Sequence, residues 1–162
     1  MRTGGVLNIL GKLLILLSLF LLTPIPFSLY FGDGMVRTFL LSSVVGALTG
    51  GMLVALFKPE KDLGYRDGFG VVVLSWVGLA FLGALPFYFS GQMPSFLDCY
   101  FESMSGFTTT GSTILAQVEV LPKSVLFWRA TTHWLGGMGI IVLSLAILPL
   151  LGIGGMQLFQ AE

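Results

Sequence analysis

Residues 101–113 read FESMSGFTTTGST, a stretch that is neither a plain membrane-spanning helix nor a hydrophilic loop. A short helix is predicted to precede it, because Ser95 can act as N-cap and Asp98, three residues later, can complete a capping box. Gly106 is expected to break this helix, which we place at residues 95–105. Such a helix is too short to cross a bilayer. We therefore predict a half-helix that enters the membrane and returns as extended chain, an arrangement that membranes tolerate beside a water-filled cavity.

The composition of the chain indicates that lipid is its solvent. Only 10% of the 162 residues are charged, 55% are apolar and the mean hydropathy is +0.93, whereas about a quarter of the residues of soluble proteins are charged. Eight basic and eight acidic side chains give zero net charge, so no basic patch argues for nucleic acid. A single Cys and a single His exclude a disulfide framework and make a zinc site hard to assemble.

Four apolar stretches predict membrane-spanning helices and an all-α integral membrane protein. A hydrocarbon core about 30 Å thick needs about 20 helical residues. The stretches are residues 6–22, extendable to residue 31, and residues 35–57, 69–89 and 127–151. The first could instead be a cleaved signal peptide, but residues 23–26 (TPIP) lack the small residues of a cleavage site.

The basic residues of the short loops predict the orientation, because Lys and Arg are retained on the cytoplasmic side of a membrane. Five of them fall on one side, namely Arg2, Lys12, Lys58, Lys61 and Arg66. The other side has Arg37, Lys123 and Arg129. Both termini of this segment are therefore expected in the cytoplasm, and residues 90–123 on the outer side.

The hydroxyl-rich run after the short helix offers hard oxygen ligands for a monovalent cation. Its members are Thr108, Thr109, Thr110, Gly111 and Ser112. Their backbone carbonyls and hydroxyls follow the carboxyl end of a helix, which adds a partial negative charge. Gly111 has no Cβ, so it can take dihedral angles that turn neighbouring carbonyls toward a common axis.

Two other interpretations of this run stay open. Gly106, Gly111 and the two residues after Gly111 match the spacing of a phosphate-binding loop, although Ser112 stands where a Lys would reach the phosphates. The segment before the run is also an apolar helix and not a buried strand. A Thr- and Ser-rich surface turn between two membrane helices is the second alternative.

Two ordered motifs resemble a known family. Residues 101–112 (FESMSGFTTTGS) are similar to the first pore loop of the Trk/Ktr/HKT superfamily of cation transporters. Residues 127–140, which contain FWR and HWLGGMGI, and residues 154–159 (GGMQLF) resemble the next membrane helix of the membrane subunits of bacterial Trk systems. Together with two leading helices, the resemblance covers essentially the whole chain.

The resemblance implies a pore built from four repeats, each a membrane helix, a re-entrant pore helix with its filter loop, and a second membrane helix. An extra pair of transmembrane helices precedes them. Residues 1–67 would hold this pair and its cytoplasmic connection, and residues 68–162 the first repeat. Within the repeat it implies helices at 69–89 and 124–151, a pore helix at 95–105 and a filter at 108–113. One quarter of a ring cannot enclose an ion, so we expect a longer chain that carries three more repeats.

The implied function is potassium uptake, passive or ion-coupled, across the bacterial inner membrane. It involves no catalytic residue and no cofactor, and potassium is the transported ligand. The family pattern assigns potassium to the carbonyls of Thr109, Thr110 and Gly111, flanked by Thr108 and Ser112. It also implies a homodimer regulated by a cytosolic nucleotide-binding subunit.

Three further residues are expected to support the loop. Glu102 is placed to hydrogen-bond behind the filter, while Arg129 and His133 share one helix face and can pair with carboxylates or with the filter backbone. The alternative function is a small membrane scaffold whose Gly46-x-x-x-Gly50 face binds partner helices. A membrane-embedded hydrolase is disfavoured because His133 has no evident Asp or Ser partner.

Overall fold

The computed structural model describes residues 3–60 and 64–147, and within these ranges the chain is helical, without strands. The helices are α1 (Thr3–Phe20), α2 (Ile25–Phe31), α3 (Val36–Leu56), α4 (Tyr65–Phe89), α5 (Phe96–Phe107) and α6 (Lys123–Ile147), with a short 3-10 helix at Val118–Val120. The prediction of an all-α protein is confirmed.

Among the described residues, three segments are long and apolar enough to cross a membrane, namely Thr3–Phe31, Val36–Leu56 and Arg66–Phe89. The first is interrupted between α1 and α2, where a proline occupies the first turn of α2 and Pro24 precedes it. The fourth predicted span, 127–151, begins within α6, which starts at Lys123, one residue before the helix that the resemblance implied at 124–151. Its last residues lie outside the described ranges, so its end stays a prediction.

The leading helices α1 and α3 pack with their backbones in close contact. A Cβ on Gly50 would lie 2.6 Å from the carbonyl oxygen of Gly11, and a Cβ on Gly46 would lie 2.6 Å from Leu82 of α4. Small residues allow such close approach of helices in a membrane. Both glycines of the Gly46-x-x-x-Gly50 motif are therefore buried inside the chain, and the face that suggested a scaffold is already occupied.

Two further predicted helix boundaries were wrong, each for a local reason. The helix placed at 69–89 begins at Tyr65, because Asp67 accepts the N–H of Gly64 at 3.0 Å and closes the first turn early. The helix placed at 95–105 does not break at Gly106 but runs to Phe107. Gly106 is buried against α6, where a Cβ would overlap the hydroxyl of Thr132. This glycine therefore serves helix packing and does not end the helix.

Asp33 ties the turn between α2 and α3 to the beginning of α6. One carboxylate oxygen, Oδ2, accepts the backbone N–H of Ser124 at 2.9 Å and its hydroxyl at 2.7 Å. The other, Oδ1, accepts the hydroxyl of Ser28 at 2.5 Å and the N–H of Met35 at 3.2 Å. Burial opposes ionisation, but the bonds from Ser28, Ser124 and Met35 outweigh it and hold the pKa of Asp33 below its ordinary value of 3.8.

The lowered pKa gives Asp33→Asn a pH-dependent effect on stability. Because the folded-state pKa lies below the unfolded one, the stabilisation is complete above about pH 4 and is lost as the pH falls through the folded-state value. We expect the substitution to lower the free energy of unfolding by about 1–2 kcal/mol at pH 7, since the carboxylate is partly exposed. Thermal unfolding of the purified protein at pH 7 and pH 3 checks this. An equal loss at both pH values would contradict the role of the charge.

Candidate functional site

The short helix α5 leads directly into the hydroxyl-rich loop. The side chain of Ser95 caps its amino end by accepting the N–H of Asp98 at 3.2 Å. At its carboxyl end α6 supports the helix: a Cβ on Gly136 would overlap the carbonyl oxygen of Phe107 and lie 2.7 Å from the carbonyl carbon. The last turn of α5 therefore rests directly on the backbone of α6.

Ser105 anchors the loop at residues 108–112. Its buried backbone carbonyl accepts the N–H of Thr110 at 3.0 Å and the N–H of Gly111 at 3.5 Å. Its hydroxyl donates to the carbonyl of Ser112 at 2.7 Å. These bonds fold the loop back over the end of α5. The sequence does not indicate this role of Ser105, because a serine inside a helix carries no signal for it.

The same bonds orient the carbonyl oxygens of the loop. In a trans peptide the N–H of one residue and the carbonyl of the residue before it point in opposite directions. Since the N–H groups of Thr110 and Gly111 point toward Ser105, the carbonyls of Thr109 and Thr110 point away from α5. Within the described part of the chain, no hydrogen bond ends on the carbonyls of Thr109, Thr110 or Gly111. The loop thus presents open oxygen ligands on its exposed side.

Two backbone angles in the loop lie in the left-handed region. Gly111 has a φ of 76° and Thr109 a φ of 55°. A glycine adopts this conformation freely, whereas a β-branched threonine does so rarely and at a cost. A Cβ on Gly111 would meet nothing within 4 Å. What disfavours a side chain at this position is therefore the backbone conformation and not a lack of space.

The five predicted ligand residues are not equivalent. Thr108 donates its hydroxyl to the carbonyl of Met104 at 2.8 Å, and its oxygen lies 2.8 Å from the hydroxyl of Thr110. A carbonyl can only accept, so Thr110 donates to Thr108. The carbonyl of Ser112 is bound to Ser105. The open carbonyls are those of the central three residues, while the two flanking residues form internal hydrogen bonds of the loop.

Glu102 lies behind the loop and connects it to α6. Its fully buried carboxylate accepts the Nε–H of Arg129 at 2.6 Å through Oε1. Through Oε2 it accepts the hydroxyl of Thr113 at 3.0 Å and the N–H of Ile114 at 3.4 Å. A buried carboxylate is costly unless it is paired and hydrogen-bonded. The pair with Arg129 therefore fixes the chain just after the loop relative to α6.

His133 does not use its Nδ1 atom for the predicted contact with a carboxylate or with the loop. Its Nδ1 donates to the carbonyl of Arg129, one turn earlier on α6, at 2.9 Å. Its ring faces Gly106, where an added Cβ would lie 3.4 Å from Nδ1. Of the two residues predicted to pair with carboxylates or with the loop, Arg129 does so, whereas His133 bonds to its own helix.

Comparison with known proteins relates this arrangement to a family. The family described as TrkH, cation transport protein, matches residues 36–162. The Trk system potassium uptake protein TrkH of Escherichia coli K12 is 46% identical over 100% of this chain and 34% of that protein. TrkH of Halomonas elongata is 43% identical over 97% of this chain and 33% of that protein.

A solved structure agrees with the fold. The crystal structure of the potassium transporter TrkH from Vibrio parahaemolyticus matches with a TM-score of 0.88 and 41% identity, over 96% of this chain and 34% of that one. This chain therefore spans about a third of the length of the relatives that it matches. The relatives are named as transport proteins and not as enzymes. With its membrane-length helices and these matches over most of its length, the chain is part of a multi-pass membrane protein and belongs to the TrkH family of cation transport proteins.

Proposed function

We propose that this chain supplies the leading helices and one pore repeat of a potassium uptake protein, with Thr109, Thr110 and Gly111 forming one quarter of its ion filter. The observation that carries the proposal is the orientation of the loop: the carbonyls of Thr109, Thr110 and Gly111 accept no hydrogen bond from the described residues, and those of Thr109 and Thr110 point away from α5. The family membership and the names of the relatives support potassium as the ion.

The chemistry suits a monovalent cation that has lost its water. Such an ion needs several oxygens in place of its hydration shell, and rings of backbone carbonyls supply them. The carboxyl end of α5 adds a partial negative charge beside the loop. One loop provides only part of a ring, so three further repeats on the longer polypeptide are proposed to complete the pore. The step is ion transfer and requires no catalytic residue.

The proposed topology places this segment in the bacterial inner membrane with both of its ends in the cytoplasm. Arg2 before α1, Lys58 and Lys61 between α3 and α4, and Arg66 in the first turn of α4 support it, whereas Lys12 lies inside α1 and not in a loop. Two of those residues, Arg2 and Lys61, lie outside the described ranges. The loop would then face the outer side and receive ions from there. A homodimer and a cytosolic nucleotide-binding regulatory subunit are proposed for the complete protein from the family resemblance.

Gly111→Ala is expected to lower rubidium uptake at least about tenfold or to remove the preference for rubidium over sodium. At the φ of 76° found for Gly111, a residue with a Cβ is strained by about 1–2 kcal/mol. Relief of this strain rotates the adjacent peptide units and thus turns their carbonyls. Uptake is measured in potassium-transport-deficient cells that express the gene through to its natural stop codon. Gly111→Asn is expected to retain more activity, because asparagine tolerates this conformation.

Gly51→Ala is the matched control, since its added Cβ also meets nothing within 4 Å but lies in the regular helix α3. It is expected to leave uptake unchanged. Native uptake and selectivity in Gly111→Ala at equal membrane abundance would remove the filter assignment. A native protein that takes up no rubidium would overturn the transport proposal itself.

A further inference from the structure

We propose that Asp33 is a positioning residue for the ion path: it holds the beginning of α6 and thereby sets the Arg129–Glu102 pair behind the loop. This inference rests on the proposed function and adds to it. It assigns the leading helices a part in shaping the loop, although the loop belongs to a different section of the chain.

Asp33 contacts the beginning of α6 directly, through Ser124. Asp33 and Ser124 are 91 residues apart in sequence, yet two hydrogen bonds of 2.9 and 2.7 Å join them. The N–H groups in the first turn of a helix have no partner within the helix, and the positive end of the helix dipole favours a carboxylate there. Asp33 therefore supplies both an acceptor and a charge that the beginning of α6 requires.

The leading helices hold Asp33 rigidly in this contact. The other carboxylate oxygen of Asp33 is held by Ser28 of α2 and by the N–H of Met35, which precedes α3. Beside it, the rings of Phe27 and Phe127 stack with their centroids 4.0 Å apart and their planes at 19°. The beginning of α6 is thus fixed in both direction and position against the turn between α2 and α3.

The position of α6 determines the position of the loop through Arg129 and Glu102. Arg129 lies five residues after Ser124 on the same helix, about 7.5 Å along its axis at 1.5 Å per residue. Its bond to the fully buried carboxylate of Glu102 is short, at 2.6 Å, so a shift of α6 by about 1 Å would stretch it beyond a hydrogen-bond distance unless the arginine side chain also moved. Glu102 in turn holds Thr113 and Ile114 immediately after the loop. A continuous series of hydrogen bonds and one helix therefore links Asp33 to the chain that follows the open carbonyls.

The test exchanges the two partners. Asp33→Ser and Ser124→Asp are made singly and together in the full-length protein. Asp33→Ser removes the carboxylate, and Ser124→Asp brings two carboxylates together. The double exchange restores a hydroxyl donor opposite a carboxylate at this contact, but not the bonds that Asp33 accepts from Ser28 and Met35. The measured quantities are the rubidium concentration for half-maximal uptake and the preference for rubidium over sodium, both at equal membrane abundance. We expect each single variant to change one of them by at least about threefold and the double exchange to lie closer to the native values than either single variant.

Two further variants keep the result interpretable. Ser124→Ala removes one of the two bonds and keeps the backbone N–H, so it should shift the same quantities less and remains usable if Asp33→Ser fails to fold. Thr49→Ala, on an exposed position of α3 whose hydroxyl bonds to its own helix, should change neither quantity.

The outcomes separate this inference from the function on which it rests. Native half-saturation and native selectivity in the single variants, with only the amount of folded protein reduced, would show that Asp33 serves folding alone and would overturn the inference. If the double exchange lay no closer to the native values than the single variants do, the inference would also be overturned. A native protein without rubidium uptake would overturn the proposed function, and this inference with it.

Discussion

Gly136→Ala is expected to abolish rubidium uptake and to reduce the yield of folded protein sharply. The added Cβ would overlap the carbonyl oxygen of Phe107 and lie 2.7 and 2.9 Å from the carbonyl carbon and Cα of the same residue. All three atoms belong to the backbone, so no side chain can rotate away. The last turn of α5 would have to move by about 1 Å, at a cost of about 3 kcal/mol or more. The loop begins at the next residue and would move with it.

The neighbouring glycine supplies the control for this experiment. A Cβ on Gly137 meets a methyl group of Thr109 at 3.9 Å, which is an ordinary contact. Gly137→Ala is therefore expected to fold and transport nearly as the native protein does. Uptake at equal expression and the fraction of monodisperse protein in detergent measure both effects. Equal behaviour of the two alanine variants would show that α5 and α6 are not packed as described.

Arg129→Gln is expected to lower the free energy of unfolding by about 3–5 kcal/mol, since removing one partner of a buried ion pair leaves an uncompensated charge. The charge here is that of Glu102, whose side chain is completely buried. Without Arg129, Glu102 would hold Thr113 and Ile114 less firmly, so uptake by the protein that still folds should also be lower. Thermal unfolding and rubidium uptake of the full-length protein measure the two effects.

The double variant Glu102→Gln/Arg129→Gln distinguishes lost pairing from lost packing. Two neutral amides leave no buried charge, so the double variant should be more stable than Arg129→Gln alone. Arg37→Gln, at an exposed arginine near the beginning of α3, is the control for a simple loss of positive charge and should have little effect. Additive losses from the two single changes would contradict a direct interaction between Glu102 and Arg129.

The sequence was informative about which segments form helices. Length and apolar composition identify α1, α3 and α4, because a membrane span must satisfy its backbone within itself. Helix ends were less predictable. Gly106 was interpreted as a break because glycine has low helix propensity, but the close approach of α6 decides its role. Propensity is a local property, whereas this contact depends on Thr132, 26 residues later in the sequence.

The residues of the candidate site were likewise only partly predictable from the sequence. The hydroxyl-rich run and Gly111 stand out in the sequence because their composition is unusual beside a short helix. Ser105 and Asp33 do not, since their partners are set by how the chain folds back. The bond of Asp33 to Ser124 spans 91 residues, and no sequence pattern signals it. The sequence thus indicates the residues that present oxygen atoms but not the residues that fix the loop in place.

The anchoring of the loop on Ser105 also bears on the order of biosynthesis. All three bonds that shape residues 108–112 around this anchor come from α5 and from the loop itself, within eight positions of the chain (105–112). The supporting contacts with Glu102 and Gly136 involve α6, which follows next. A nascent polypeptide can therefore shape this loop as soon as α6 has entered the bilayer, before later segments leave the ribosome. In the proposed pore, this repeat would then join its neighbours with its loop already shaped.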